Sequence, residues 1–121
     1  MIRAQVLRSK IARKFEDRGV KFDTPAHEAE AERMTIAHND DKYLFIEDIY
    51  RHNGASENCS VEITVRVKVD GWKYKTIYES GKITDKAGDR AIKNRIEKAL
   101  EKFIYSDPEP FNMKMLDSFY Q

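Results

Sequence analysis

The chain has 121 residues, 40% of them apolar and 36% charged, with 22 lysines and arginines against 21 aspartates and glutamates. That is mass enough for one hydrophobic core. Five glycines and three prolines exclude a collagenous or disordered chain, and no apolar run nears the roughly 18 residues of a membrane span.

Cys59 is the one cysteine and can form no internal disulfide. Arginines run through the first twenty residues without an apolar stretch of signal type. A soluble protein of a reducing, cytoplasmic compartment, with no membrane contact, is therefore expected. The balanced total hides segregation. Residues 1–21 hold seven basic and two acidic side chains, and 22–62 hold three and ten. Residues 63–105 hold eleven and six, and 106–121 one and three. Blocks of alternating sign either neutralise one another inside the fold or attract partners.

Ala4, Leu7, Ile11 and Phe15 recur at helical spacing and predict an amphipathic helix over 3–18, closed by Gly19 as a left-handed cap. Arg3, Lys10, Arg13 and Lys14 lie along one flank of it. Thr24-Pro25 is a helix-start signal, so a second helix is expected over about 25–38. It would bury Ala26, Ala29, Ile36 and Ala37 and carry Glu28, Glu30 and Glu32 in its first half, as the helix dipole prefers. An acidic second helix beside a basic first one forms a self-neutralising helical hairpin.

Strands follow. Residues 43–50 are aromatic and β-branched between Asp40-Asp41 and Asn53-Gly54. Val61, Ile63, Val65, Val67 and Val69 alternate strictly with Glu62, Thr64, Arg66 and Lys68, and Asp70-Gly71 follows as a hairpin turn. A third strand over 72–80 alternates Trp72, Tyr74, Thr76 and Tyr78 with Lys73, Lys75, Ile77 and Glu79. Thr84 or Asp85 then caps a helix to about 105, cored by Ile92, Ile96, Ala99, Leu100 and Phe103, and residues 106–110 end it.

The expected order is α-α-β-β-β-α plus a tail. This is one α+β domain whose three-stranded antiparallel sheet has helices packed on one face. Within it, 1–22 is the basic helix and link, 23–105 the α-β-β-β-α core and 106–121 an apolar tail with a short helical turn.

A two-residue loop at Asp70-Gly71 sets the register. It places Val69 opposite Trp72, Val67 opposite Tyr74, Val65 opposite Thr76 and Ile63 opposite Tyr78, all on one face. On the other face Lys68 meets Lys73, Arg66 meets Lys75, Thr64 meets Ile77 and Glu62 meets Glu79. Like charges in such pairs cost roughly 0.2–1 kcal/mol each. The face either splays its lysines into water or meets an anionic partner that relieves the repulsion. In this register no aromatic residue interleaves with the cations, so a stacking platform for single-stranded nucleic acid is not expected.

Phe111, Met113, Met115, Leu116, Phe119 and Tyr120 make the tail apolar enough to dock, on its own domain or on another chain, a homodimer included. Signals for chemistry are few. His27, His38 and His52 form no i, i+4 pair, and His38 near Asp40-Asp41 is a weak metal motif beside a plain helix end. Cys59 has no ligand spacing and is expected to be a half-buried small residue. Glu47 and Asp48 adjoin on a strand and point to opposite faces. No nucleophile elbow or glycine-rich phosphate loop exists. No enzyme and no cofactor are expected.

From Thr24 to Tyr105 the order helix, three antiparallel strands, helix is similar to the double-stranded-RNA-binding domain. Asp70-Gly71 and the helix start after Gly81 fall where that family places them. The resemblance is one of topology. Thr84-Asp85-Lys86-Ala87-Gly88-Asp89 stands where the family has a basic signature, and His52-Asn53-Gly54-Ala55 stands for its middle loop. What the resemblance implies is shape-driven binding of duplex RNA.

Two function classes result. The first is a small non-enzymatic regulator or inhibitor, by analogy like accessory proteins of phages and mobile elements. It would hold a larger anionic protein or nucleoprotein complex through the basic sheet face and the tail. The second is a duplex RNA or DNA binder using Arg66, Lys68, Lys73 and Lys75 with Lys86, Arg90 and Lys93.

Overall fold

The computed structural model describes residues 4–23, 34–50, 56–71 and 73–105. Helix α1 (Ala4–Glu16) is followed by strands β1 (Met34–Asn39), β2 (Lys42–Tyr50), β3 (Ser56–Asp70), β4 (Lys73–Glu79) and the short β5 (Ile83–Thr84). Helix α2 (Asp89–Leu100) closes the chain order and runs into a π-helical turn, Glu101–Tyr105. The sheet is antiparallel in the order β1-β2-β3-β4, with β5 paired to the start of β3. The α+β class and the antiparallel sheet are as expected from the sequence. The strand count is not: four strands form the meander and a fifth is added, where three were expected.

The extra strand comes from the expected second helix. Residues 34–38, assigned to its end, form β1, while 24–33 lie outside the described residues. Thr35 and Ile36 are β-branched, and period-two burial sends Thr35 and Ala37 to the core with Ile36 and His38 on the other face. Asn39 pairs with Lys42, so Asp40-Asp41 is a two-residue hairpin loop and not a helix end. Asp40 has φ +54°, the left-handed conformation that Asp tolerates and such loops require. With β1 present, the chain from 34 to 105 departs from the double-stranded-RNA-binding topology.

Helix α1 follows its periodicity. Ala4, Leu7, Ile11, Ala12 and Phe15 are buried against β2 and β3. It ends in a Schellman motif. The Val20 N–H reaches the Phe15 carbonyl at 3.1 Å and the Gly19 N–H the Glu16 carbonyl at 3.0 Å, with Gly19 at φ +94°. Phe15 and Val20 are both buried, and the Phe15 ring meets Phe22 edge-on with centroids 5.9 Å apart. Helix α2 buries the expected stripe of Ile92, Ile96, Ala99 and Leu100, with Phe103 beyond it. Its start differs from expectation. Thr84 belongs to β5, and the helix begins after Gly88 with no side-chain cap.

Both helices belong to one hydrophobic cluster with Leu44, Ile46, Val61, Ile63 and Val65, which share one face of the sheet. Among the described residues, the helices α1 and α2 pack on that face. Tyr78 and Arg95 join the layers at the β4 side. The Tyr78 hydroxyl donates to the Arg95 carbonyl at 3.2 Å, and Arg95 Nε donates to the Ser80 carbonyl at 3.3 Å. No helix among the described residues is long and apolar enough to cross a membrane.

The expected register of the β3–β4 hairpin is not realised. Asp70 pairs with Lys73, so the turn opens at Gly71, one residue later than expected. Gly71 opens it at φ +48°, which glycine adopts without a Cβ clash. Two bulges follow. Lys68 faces Tyr74, leaving Val69 as an extra residue, and Val65 faces Tyr78 while Arg66 faces Thr76, leaving Ile77 as another. Val67 consequently faces Lys75 and Thr64 faces Glu79. A bulge shifts the alternation of every residue beyond it, so Tyr74 and Thr76 turn away from the core while Tyr78 stays with it.

Candidate functional site

Residues paired across an antiparallel sheet share a face. On the face away from the helices the pairing brings His38, Tyr43, Arg66 and Thr76 into one row across β1 to β4. Phe45 and Thr64 stand beside it with Ile36, and Lys68 with Tyr74 form the next row toward the loop. The rings make one cluster. Tyr43 and Phe45 stack with centroids 6.3 Å apart and planes 16° apart, and Tyr74 meets Tyr43 edge-on at 5.4 Å. The Arg66 guanidinium sits over the Phe45 ring at 5.5 Å, a cation–π contact that fixes the charge against the apolar surface. Tyr74 is 50% exposed and Arg66 is exposed as well. A hydrogen bond with the Tyr74 side chain, followed by that group's own charge, pushes the Tyr43 phenol up from its ordinary value. It stays protonated at neutral pH.

This overturns the expectation that no aromatic residue interleaves with the cations. The β4 bulge and the shifted loop move Tyr74 to the open face, and Tyr43 and Phe45 arrive from the neighbouring strand. It also divides the expected basic set. Arg66 and Lys68 remain on the open face, but Lys75 lies opposite Val67 on the other side, and Lys73 pairs with Asp70 at the loop. The direct Arg66–Lys75 and Lys68–Lys73 oppositions do not occur.

Arg90 and Lys93 are elsewhere. They line a groove of about 340 Å³ between the helices, with Lys14, Asp17, Arg18, Asp89, Ile96 and Glu97. There the basic flank of α1 meets the acidic side chains of α2: Lys10 and Asp89 are 3.6 Å apart, and Arg18 pairs with Glu97. Among the described residues these two pairs link the first helix to α2; Glu28, Glu30 and Glu32, expected to face it, lie outside the described residues. With three carboxylates among four cations, the groove has little net attraction for an anion. Lys86 sits in the turn before α2, its N–H on Thr84 Oγ1 at 3.3 Å. The structure brings neither group to the Arg66–Lys68 face. The tail residues Phe111, Met113, Met115, Leu116, Phe119 and Tyr120 lie outside the described residues, as do His27, His52 and Trp72.

The far end of the open face is acidic. Glu47 is paired with Glu62, and Glu79 stands one position along on β4. Burial, then the charges of Glu79 and Glu47, push the Glu62 carboxyl up from the ordinary carboxylate range. A carboxyl with a raised folded-state value holds its proton longer in the native protein than in the unfolded chain. Its contribution is favourable below the unfolded value near 4.5 and is lost as pH rises through the folded value. Glu62→Gln is therefore expected to raise the melting temperature at pH 7 and to flatten the pH dependence of stability just above pH 4.5. Thermal unfolding followed by circular dichroism at several pH values checks this; a lower melting temperature at pH 7 contradicts it.

Glu47 and Asp48 do point to opposite faces. Asp48, opposite Val61 on the core side, forms an ion pair with Arg8 of α1 at 3.2 Å, the two side chains being 0% and 6% exposed. His38 pairs with Asp23 at 3.2 Å. Cys59 is fully buried where half-burial was expected, and it has a left-handed backbone at φ +48°. Burial, then the charges of Asp85 and Asp48, push its thiol up. Since the thiolate is the nucleophile, Cys59 should alkylate with iodoacetamide far more slowly in the folded protein than in urea. Equal rates in the two states would show the site to be open.

No protein-family model matches the sequence, no curated protein matches it, and no solved structure matches the fold.

Proposed function

We propose that the protein is a non-enzymatic binding module that holds an anionic macromolecular partner on the open face of its sheet. The observation that supports this reading is the union of Arg66 and Lys68 with three clustered rings on a face that neither helix covers. A solvated face would need only polar groups. Here half-buried Ile36, Tyr43 and Phe45 underlie the cations, and an apolar patch rimmed by charge is the usual character of an interaction surface. The Phe45 ring holds the Arg66 guanidinium in place before any partner arrives, which reduces the ordering cost of binding.

The test is a titration of a fluorescent sulfated polysaccharide at about 50 and 200 mM salt, followed by anisotropy, since attraction to a polyanion weakens steeply with salt. The expected result is salt-sensitive binding that falls by about a hundredfold in the double variant Arg66→Glu with Lys68→Glu, two reversed charges at roughly tenfold each. Both positions are on the open face, so the fold should persist. Unchanged binding in the double variant contradicts the reading.

A further inference from the structure

Resting on that reading of the open face, we propose that the anionic partner is single-stranded nucleic acid, a base stacked on the exposed Tyr74 ring and its phosphates held by Arg66 and Lys68. The geometry distinguishes this ligand from other polyanions. Recognition of an acidic peptide calls chiefly on cations and hydrogen-bond donors, and a sugar stacks on an aromatic side chain only through the C–H groups of its face. Every nucleobase has a flat π-face, and stacking on an aromatic side chain is worth about 1–3 kcal/mol per base. Three rings, on β2 and β4, flank one guanidinium on the strand between them. Lys68 lies directly opposite Tyr74, so a phosphate and the base beside it meet a cation and a ring on neighbouring strands about 4.8 Å apart.

Duplexes fit poorly. Their bases are stacked on one another and offer no free face, while a flat sheet reaches only the nearer phosphates. The charge map bounds the site. Glu47, Glu62 and Glu79 repel phosphate at one end, and Asp40 and Asp41 in the β1–β2 loop with Asp70 at the end of β3 stand at the other. What remains between them is a short track with one exposed ring among the described residues, Tyr74. Such a short track implies modest affinity and little preference among sequences. The inter-helical groove does not compete, because its cations already face Asp17, Asp89 and Glu97.

The experiment uses the full chain and four labelled probes of about 12 nucleotides, longer than the track: single-stranded RNA, single-stranded DNA, a duplex, and an abasic strand of the same charge. At about 50 mM salt, where phosphate contacts are strong, the single strands should bind roughly tenfold more tightly than the abasic strand or the duplex. Tyr74→Ala should lower single-strand affinity about tenfold, and Tyr74→Phe, which keeps the ring, should restore most of it. Tyr74 is exposed on an edge strand, so neither change threatens the fold. If the abasic strand or the duplex binds as well as the single strands, or Tyr74→Ala binds normally, the single-strand assignment is overturned while the anionic reading stands. If no nucleic acid binds and the sulfated polysaccharide still does, the assignment fails in the same way. If neither binds, both readings fail.

Discussion

Replacing Arg8 by methionine will cost about 3–5 kcal/mol of folding stability, much of what a domain of this size possesses. Arg8 lies on the buried stripe of α1 with no exposed surface, and Asp48 faces it from β2 at 3.2 Å. Removing the guanidinium leaves the largely buried Asp48 carboxylate under the helix without the charge of Arg8. The arginine stem itself packs well enough for methionine to occupy the same volume, so the loss is electrostatic. The double variant Arg8→Met with Asp48→Leu should recover to within about 1 kcal/mol of the parent, because a matched apolar pair needs no desolvation of charge. Urea unfolding of the two single variants and the double variant forms the necessary cycle. A loss below about 1 kcal/mol in Arg8→Met would show that the pair is not closed from solvent.

Phe15→Ala should cost a similar amount, about 3–5 kcal/mol. The ring is fully buried, touches Phe22 edge-on, and occupies the turn at which the Schellman motif closes α1. Truncation empties the junction between helix, link and sheet, where Phe15 meets Phe22 and both Val20 and Phe22 are buried. Urea unfolding reads the shift in midpoint. A loss near 1 kcal/mol would mean that the neighbouring side chains collapse into the space.

Much of the architecture is legible in the sequence where one periodicity dominates. The stripe of Ala4, Leu7, Ile11 and Phe15 with Gly19 behind it specifies α1 and its cap, and Ile92 to Phe103 specify α2. The alternation of Val61 to Val67 specifies a strand with one buried face. The second element reads as helix over 34–38 because Ala26, Ala29, Ile36 and Ala37 extend a helical pattern across residues whose branching favours a strand. The turn chemistry of Asn39 to Lys42, which argues for a hairpin, was absorbed into a helix end.

The candidate site was legible only in part. Arg66 and Lys68 follow from alternation alone. The rings beside them depend on register, and register depends on two bulges and on which residue opens the loop. Alternation carries no mark of an extra residue such as Val69 or Ile77, so Tyr74 was assigned to the wrong face. Arg8 was passed over for a different reason. Its position next to Leu7 and four residues after Ala4 places it on the buried stripe, and Asp48 has the parity of Ile46. A charge of each sign at core positions of two elements is the signal that could have paired them.

The most direct test of the account is to observe where a polyanion binds. In a two-dimensional amide NMR titration with a short sulfated oligosaccharide, the shifts should concentrate on residues 43–45, 64–68 and 74–76, the strands of the open face. Shifts concentrated instead on Lys14, Arg18, Arg90 and Lys93 would place the anion between the helices and contradict the account.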